Sequence, residues 1–151
     1  MKTRSMQERV HVTLEGLMPG HFALDIPSGV LAHLTCEEGK PYLREVQVFT
    51  PSELTLLKPL LEEYPNYCPY EVLLASFGGS TSERAIAQAR NRFYQSLEDG
   101  SEDALMRPVR NVLSRTRLKL HAFGIDIVSM LETGCILRPV RKKTSDAGNS
   151  L

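Results

Sequence analysis

Residues 107–120 hold the side chains best suited to chemistry, because arginine, asparagine, serine and lysine recur there at helical spacing. Wound as a helix over about residues 106–121, the segment turns one mostly apolar stripe inward: Leu105, Val109, Val112, Leu113, Thr116 and Leu120. The outward side chains are polar or basic: Arg107, Arg110, Asn111, Ser114 and Arg117, with Arg115 and Lys119 on one flank. No acidic residue lies between 107 and 120. Arginine and asparagine read guanine and adenine edges, so the pattern predicts a nucleic-acid contact, with an ordinary solvated helix as the alternative.

The residues that follow this helix predict a β-hairpin. Gly124 can end the helix, residues 125–131 are rich in β-branched side chains, and residues 132–134 supply a turn before 135–138. A basic helix followed by a hairpin is the layout of a winged-helix DNA-binding domain, with a purely structural hairpin as the alternative. The hairpin end and the tail add cations able to contact phosphates: Arg138, Arg141, Lys142 and Lys143.

Charged residues are divided unevenly along the chain, although the net charge is zero. Residues 1–103 hold nine basic and fifteen acidic residues, a balance of −6. Residues 104–143 hold nine basic and two acidic residues, a balance of +7, and the last eight residues add −1. This asymmetry predicts a nucleic-acid or acidic partner for the C-terminal part of the chain.

Length and composition predict one compact domain, because 151 residues of which 42% are hydrophobic suffice for a core. We expect a flexible N-terminus at 1–8, the domain at 9–140 and a basic, polar tail at 141–151. No apolar run approaches the roughly 18–20 residues of a membrane span, and no signal-peptide core follows Met1. We therefore expect a cytoplasmic protein without a membrane partner.

The sequence contains no recognisable catalytic or metal-binding set. Three cysteines are widely spaced and lack neighbouring histidines, which favours buried or semi-buried thiols in a reducing compartment: Cys36, Cys68 and Cys135. His21 and His33 lie in strand-like sequence, which favours packing or surface roles. No carboxylate pair or Ser/His/Asp arrangement has a suitable context, so we predict that the protein is not an enzyme and has no cofactor or metal.

The remaining sequence predicts the elements that position the basic helix. Residues 9–48 read as three or four short antiparallel strands. Thr50 and Glu53 form the capping box of a first helix, which has Pro51 at its first position and ends at Tyr64. Two further helices are predicted at about 69–77 and 81–97, the latter capped by Ser82. An acidic loop at 98–103 then leads to the basic helix, whose first turn accepts Pro108.

Four segments, in this order, resemble the C-terminal effector domain of OmpR-type response regulators. Residues 49–57, FTPSELTLL, are similar to the family's "LTPTEFRLL", and residues 64–74, YPNYCPYEVLL, to its "HPGRVVSREELL". Residues 113–120, LSRTRLKL, match its "ISRLRKKL" recognition-helix signature, and residues 132–137, ETGCIL, lie at its "RGxGYRL" wing. The resemblance covers roughly residues 10–138.

The resemblance implies an α+β fold: a winged helix-turn-helix with an N-terminal antiparallel sheet, a helical core and a C-terminal hairpin wing. Arg115 matches a base-contacting arginine of the family, and Arg110 and Asn111 occupy other groove-facing positions. Positions on the phosphate side are matched by Arg107, Ser114 and Arg117. We expect no receiver domain, and the chain departs from the family in an extra helix at 81–97 and in Leu131 and Cys135 in place of the wing arginine and tyrosine.

We therefore predict a small transcriptional regulator that binds double-stranded DNA, with helix 106–121 in the major groove and wing 125–138 on the backbone. The alternative is a winged helix that docks an acidic protein. We expect a homodimer on repeated half-sites, and RNA polymerase or a regulatory protein as further partners. The inserted helix carries an apolar stripe that packs either on a second copy or on its own domain: Ile86, Ala89, Phe93 and Leu97.

Overall fold

The computed structural model describes residues 9–141, which form a mixed α+β fold. A four-stranded antiparallel sheet comes first, and four helices and a three-stranded sheet follow. The predicted terminal segments, residues 1–8 and the tail from Lys142 onward including Lys143, lie outside the described residues.

The first sheet has the strand order β1-β2-β3-β4, as expected for consecutive hairpins. Its strands are β1 (Arg9–Val12), β2 (His21–Asp25), β3 (Val30–Glu37) and β4 (Lys40–Val48). Alternate residues of the central strands, such as Phe22 and Leu31, are buried against the helices. His33 is also buried; its Nε2 lies 2.7 Å from the Pro19 carbonyl oxygen and its ring stacks on Phe22. The predicted strands and the packing role of this histidine are confirmed.

Four helices follow: α1 (Pro51–Glu63), α2 (Tyr70–Phe77), α3 (Glu83–Asp99) and α4 (Glu102–His121). The predicted capping box of α1 is present, since the Thr50 hydroxyl accepts from the Glu53 amide and the Glu53 carboxylate accepts from the Thr50 amide. The Ser82 hydroxyl caps α3 by accepting from the Ala85 amide at 3.1 Å. Both caps were predictable because the capping residue and the amide that it binds lie within one turn.

The second sheet joins the predicted hairpin to the connection between α1 and α2. Its strands are β5 (Cys68–Pro69), β6 (Ile125–Met130) and β7 (Gly134–Pro139), in the order β5-β7-β6. Gly134 lies opposite Pro69, and a Cβ atom at this glycine would be 2.1 Å from the Cys68 carbonyl oxygen. Glycine is therefore required for β5 to approach the hairpin.

The inserted helix α3 packs onto its own domain. Phe93 is only 1% exposed and its ring lies 5.5 Å from that of Tyr70, while Ile86 and Leu97 pack at the margin of the same core. The prediction that Ile86, Phe93 and Leu97 contact a second copy is therefore wrong, and the other alternative is observed. The stripe is buried because α3 packs against α2 and α4 of the same chain.

All three cysteines are unpaired thiols, two of them buried as predicted. Cys36 is exposed, contrary to prediction, because it lies at the C-terminal end of β3, whose last two residues are both exposed. Within residues 9–141, no helix combines the length and apolar character that crossing a bilayer requires.

Candidate nucleic-acid interface

Helix α4 presents the basic segment and begins earlier than predicted. It starts at Glu102, so Pro108 lies in its second turn and the expected position of Pro108 in the first turn is wrong. The start is favoured by Glu102 and Asp103, whose negative charges suit the positive end of the helix dipole. Five residues of the predicted stripe are buried, namely Val109, Val112, Leu113, Thr116 and Leu120. The predicted Leu105 is only partly buried, and Met106 is buried beside it.

One line of side chains points away from the domain, and we call it the ridge: Asn111, Ser114 and Leu118. These residues follow one another at intervals of three or four and so stand above each other on one helix face. Among residues 9–141, no side chain hydrogen-bonds to Asn111 or Ser114. Leu118 is 70% exposed, although the sequence-based assignment of helix faces gave it no place.

The ridge has an ion-paired flank towards the hairpin. Arg107 donates to Asp103 at 2.6 Å, and Arg110 pairs with Glu102 and, at 3.3 Å, with Asp103. Arg110 therefore already has two carboxylate partners. These acids lie just outside the segment 107–120, so the basic face has more negative charge beside it than the segment itself indicated.

Further along the same flank, Arg117 contacts the hairpin. Its Nε and one terminal nitrogen donate to the two carboxylate oxygens of Asp126 at 2.5 and 3.2 Å, and His121 Nε2 lies 2.8 Å from the first oxygen. The hydrogen bond from Arg117 lowers the pKa of Asp126 to about 2, and the same contact raises the pKa of Arg117. This bidentate pair connects α4 to β6.

The opposite flank is anchored to α1 by Glu53. Lys119 Nζ lies 2.7 Å from one oxygen of this carboxylate, and Arg115 Nε lies 3.7 Å from the other. Burial alone would raise the pKa of Glu53, but hydrogen bonds from Lys119 and Thr50 outweigh it and hold the pKa below its ordinary value. Lys119 also donates to the Val48 carbonyl at 2.9 Å, so it holds α4 against α1 and β4.

The hairpin tip is not basic. Leu131 is 88% exposed, and Glu132 follows it with a positive φ of 57°. Two cations lie at the other end of the hairpin, where Arg138 and Arg141 are exposed and have no ion pair within the described part of the chain. A cleft of about 560 Å³ separates the hairpin from α4, and its lining includes Tyr70, Arg110, Ser114, Arg117, Ser129 and Leu131.

The structure corrects the charge estimate for this surface. Residues 102–143 contain nine basic and four acidic residues, a balance of +5, and the buried Glu53 beside them reduces it further. The value of +7 came from a window that began just after Glu102 and Asp103. The positive field around α4 is therefore smaller than the sequence predicted, and most of the arginines are already paired.

Ion pairs between residues close in the sequence could have been predicted from it, whereas those between distant residues could not. Asp103 and Arg107 stand four residues apart, which is the spacing of a helical ion pair. Glu53 and Lys119 are 66 residues apart, and only the packing of α1 against α4 brings them together.

Within the described residues, no group of histidine, cysteine or acidic side chains could hold a metal ion. No protein family, curated protein or solved structure gives a significant match to the chain.

Proposed function

We propose that this protein is a winged-helix regulator that binds double-stranded DNA in a sequence-specific way, with α4 in the major groove. One observation carries the proposal: a 20-residue helix has an outward ridge of unpaired polar and apolar side chains between two ion-paired flanks. Such a helix is about 30 Å long, and the major groove is wide enough to admit it. Asn111 suits adenine, whose N6 and N7 an asparagine can bind together.

The arginines beside the ridge exchange partners when DNA binds. Arg115 reads a base edge, because its 3.7 Å contact with Glu53 is the longest of these ion pairs and the easiest to leave. Arg107, Arg110 and Arg117 move towards phosphates. An exposed ion pair contributes only about 0.2–1 kcal/mol, so a phosphate can compete for the guanidinium. The carboxylates left behind oppose binding, which makes the affinity lower than the sequence charge suggests.

The hairpin serves as the wing, and its contact with DNA lies away from its tip. Arg138 and Arg141 contact the backbone, since both are exposed and unpaired among residues 9–141. Leu131 and Glu132 at the tip cannot neutralise a phosphate. The predicted backbone contact of wing 125–138 is therefore restricted to its C-terminal end and the residues just beyond it.

One such domain buries too little DNA surface for high specificity, so we propose that two copies bind repeated half-sites. Helix α3 does not join them, because its apolar stripe is buried. We also propose contacts with RNA polymerase or a regulatory protein. A cytoplasmic location is proposed because the three cysteines are free thiols, as expected in a reducing compartment.

Selection of bound duplexes from a random pool tests the proposal, followed by fluorescence anisotropy on the enriched and scrambled duplexes. We expect Arg115→Ala to weaken binding to the enriched duplex by about 5- to 150-fold, the equivalent of 1–3 kcal/mol. Arg44→Ala is the matched control, because Arg44 is an exposed, ion-paired arginine on β4, away from α4. Failure to bind any duplex at low salt would refute DNA binding and favour an acidic protein partner.

A further inference from the structure

Leu118 lies in the middle of the surface that we assign to DNA. Its side chain is 70% exposed, whereas the neighbouring leucines Leu113 and Leu120 are buried in the core. The residues one turn away on the same face are Ser114, Arg115, His121 and Ala122. Leu118 therefore contributes little to folding, and no other large apolar side chain stands one turn away from it on α4.

The absence of such neighbours argues against a protein contact at this position. The buried centre of a protein interface needs a continuous apolar patch, and a single leucine among polar side chains does not provide one. The edge of a DNA base is small enough for a single leucine side chain to cover. In the major groove, the one apolar group of the four base pairs is the C5 methyl of thymine.

A leucine cannot satisfy the donors and acceptors of the other bases. Packed over guanine or cytosine, it would displace water from O6, N7 or N4 and give no hydrogen bond in return. Packed over thymine, the leucine side chain buries the C5 methyl of the base against its own methyl groups. Leucine in this position therefore favours thymine over the other bases. It makes an apolar contact with the thymine methyl, whereas it would leave polar groups of the other bases without a hydrogen bond.

The distance to Asn111 places this contact within a half-site. Seven residues separate Asn111 from Leu118, which is two helical turns and about 10.5 Å. The base pairs of DNA rise about 3.4 Å along its axis and lie farther apart along the inclined groove, so the two side chains reach positions about two to three base pairs apart. Ser114 lies between them, and a hydroxyl can donate or accept, so the intervening positions are read less strictly.

We infer, on the basis of the proposed DNA-binding function, that Leu118 is a specificity-determining residue that packs on a thymine methyl. The half-site then contains a thymine about two to three base pairs from the adenine bound by Asn111. The ligand class is thus a duplex with A·T pairs at this spacing.

The test replaces each thymine of the enriched half-site in turn by deoxyuridine, which lacks only the methyl group. We expect one replacement to weaken wild-type binding by about four-fold, the effect of burying one methyl-sized group. Leu118→Ala should lose a similar factor on the thymine duplex and show no further loss on the deoxyuridine duplex. Leu43→Ala, an equally conservative change at an exposed leucine of β4, should leave the methyl effect intact.

The outcomes separate this inference from the proposed function. If no duplex is enriched, both fail. If a duplex is bound but no thymine is sensitive to loss of its methyl, or if Leu118→Ala keeps the full sensitivity, the role of Leu118 is refuted and DNA binding stands. Circular dichroism checks that Leu118→Ala retains the wild-type melting temperature, as its exposure predicts.

Discussion

The ion pair between Asp126 and Arg117 can be tested by Asp126→Asn, which keeps the shape of the side chain and removes its charge. The hydrogen bond from Arg117 lowers the pKa of Asp126 from 3.8 to about 2. At about 1.4 kcal/mol per pH unit, this shift corresponds to at most about 2 kcal/mol of folding free energy. Because the pKa is depressed in the folded chain, the stabilisation is complete above pH 3.8 and is lost as the pH falls towards 2.

Urea denaturation measures this effect in both proteins across the acidic range. We expect Asp126→Asn to be less stable at neutral pH by up to about 2 kcal/mol, with the difference shrinking as the wild-type carboxylate becomes protonated. A difference that stayed constant down to the lowest pH would show that the loss comes from packing or from the Ile127 amide, which also donates to this carboxylate.

The same substitution should strengthen DNA binding, because it frees the Arg117 guanidinium and removes an acid from the interface. One additional phosphate contact makes the slope of log affinity against log salt steeper by about 0.9. Glu132→Gln is the control, since it removes a nearby acidic charge without freeing an arginine. Weaker binding by a folded Asp126→Asn protein would refute the idea that Asp126 competes with phosphate and would make it a positioning residue for Arg117.

Three further changes test the scaffold. Phe93→Ala should destabilise the fold by about 3–5 kcal/mol in chemical denaturation without changing the sedimentation of the folded protein, whereas loss of a dimer would restore α3 as an interface. Gly134→Ala should cost about 1–3 kcal/mol, because the new Cβ collides with the Cys68 carbonyl; an unchanged melting temperature would contradict the β5–β7 pairing. Glu53→Gln should lower stability by about 1–3 kcal/mol, because Lys119 loses its charged partner, and equal stability would show that the pair is replaced by water.

The sequence predicted elements whose signals are local. The capping box of Thr50 and Glu53 and the hairpin turn each depend on residues a few positions apart. The capping box lies where it was expected, whereas the turn predicted at 132–134 lies one residue earlier, because Gly134 is already the first residue of β7. The start of α4 was placed too late because Pro108 was taken as a first-turn residue. In the fold it occupies the second turn, where the helix loses one hydrogen bond but keeps its buried stripe.

The environment of the basic residues could not be predicted in the same way. The pairing of Asp126 with Arg117 depends on where β6 lies beside α4, and that of Glu53 with Lys119 on the packing of two helices. A linear charge count treats all these cations as free. The role of Leu118 was not predicted for a different reason. A basic helix face is identified by its polar and charged residues, and Leu118 is an apolar residue among them.

The separation of the ridge from its flanks has a consequence for how such a protein can change its target. Asn111, Ser114 and Leu118 are exposed and support no contact that holds the domain together, whereas Arg117 and Lys119 fasten α4 to β6 and α1. Mutations at the first three positions are therefore nearly free of a stability cost, while those at the last two are constrained. Under the proposed DNA-binding function, substitutions at these three positions change base preference without unfolding the domain, and a library randomised there is a practical starting point for retargeting it.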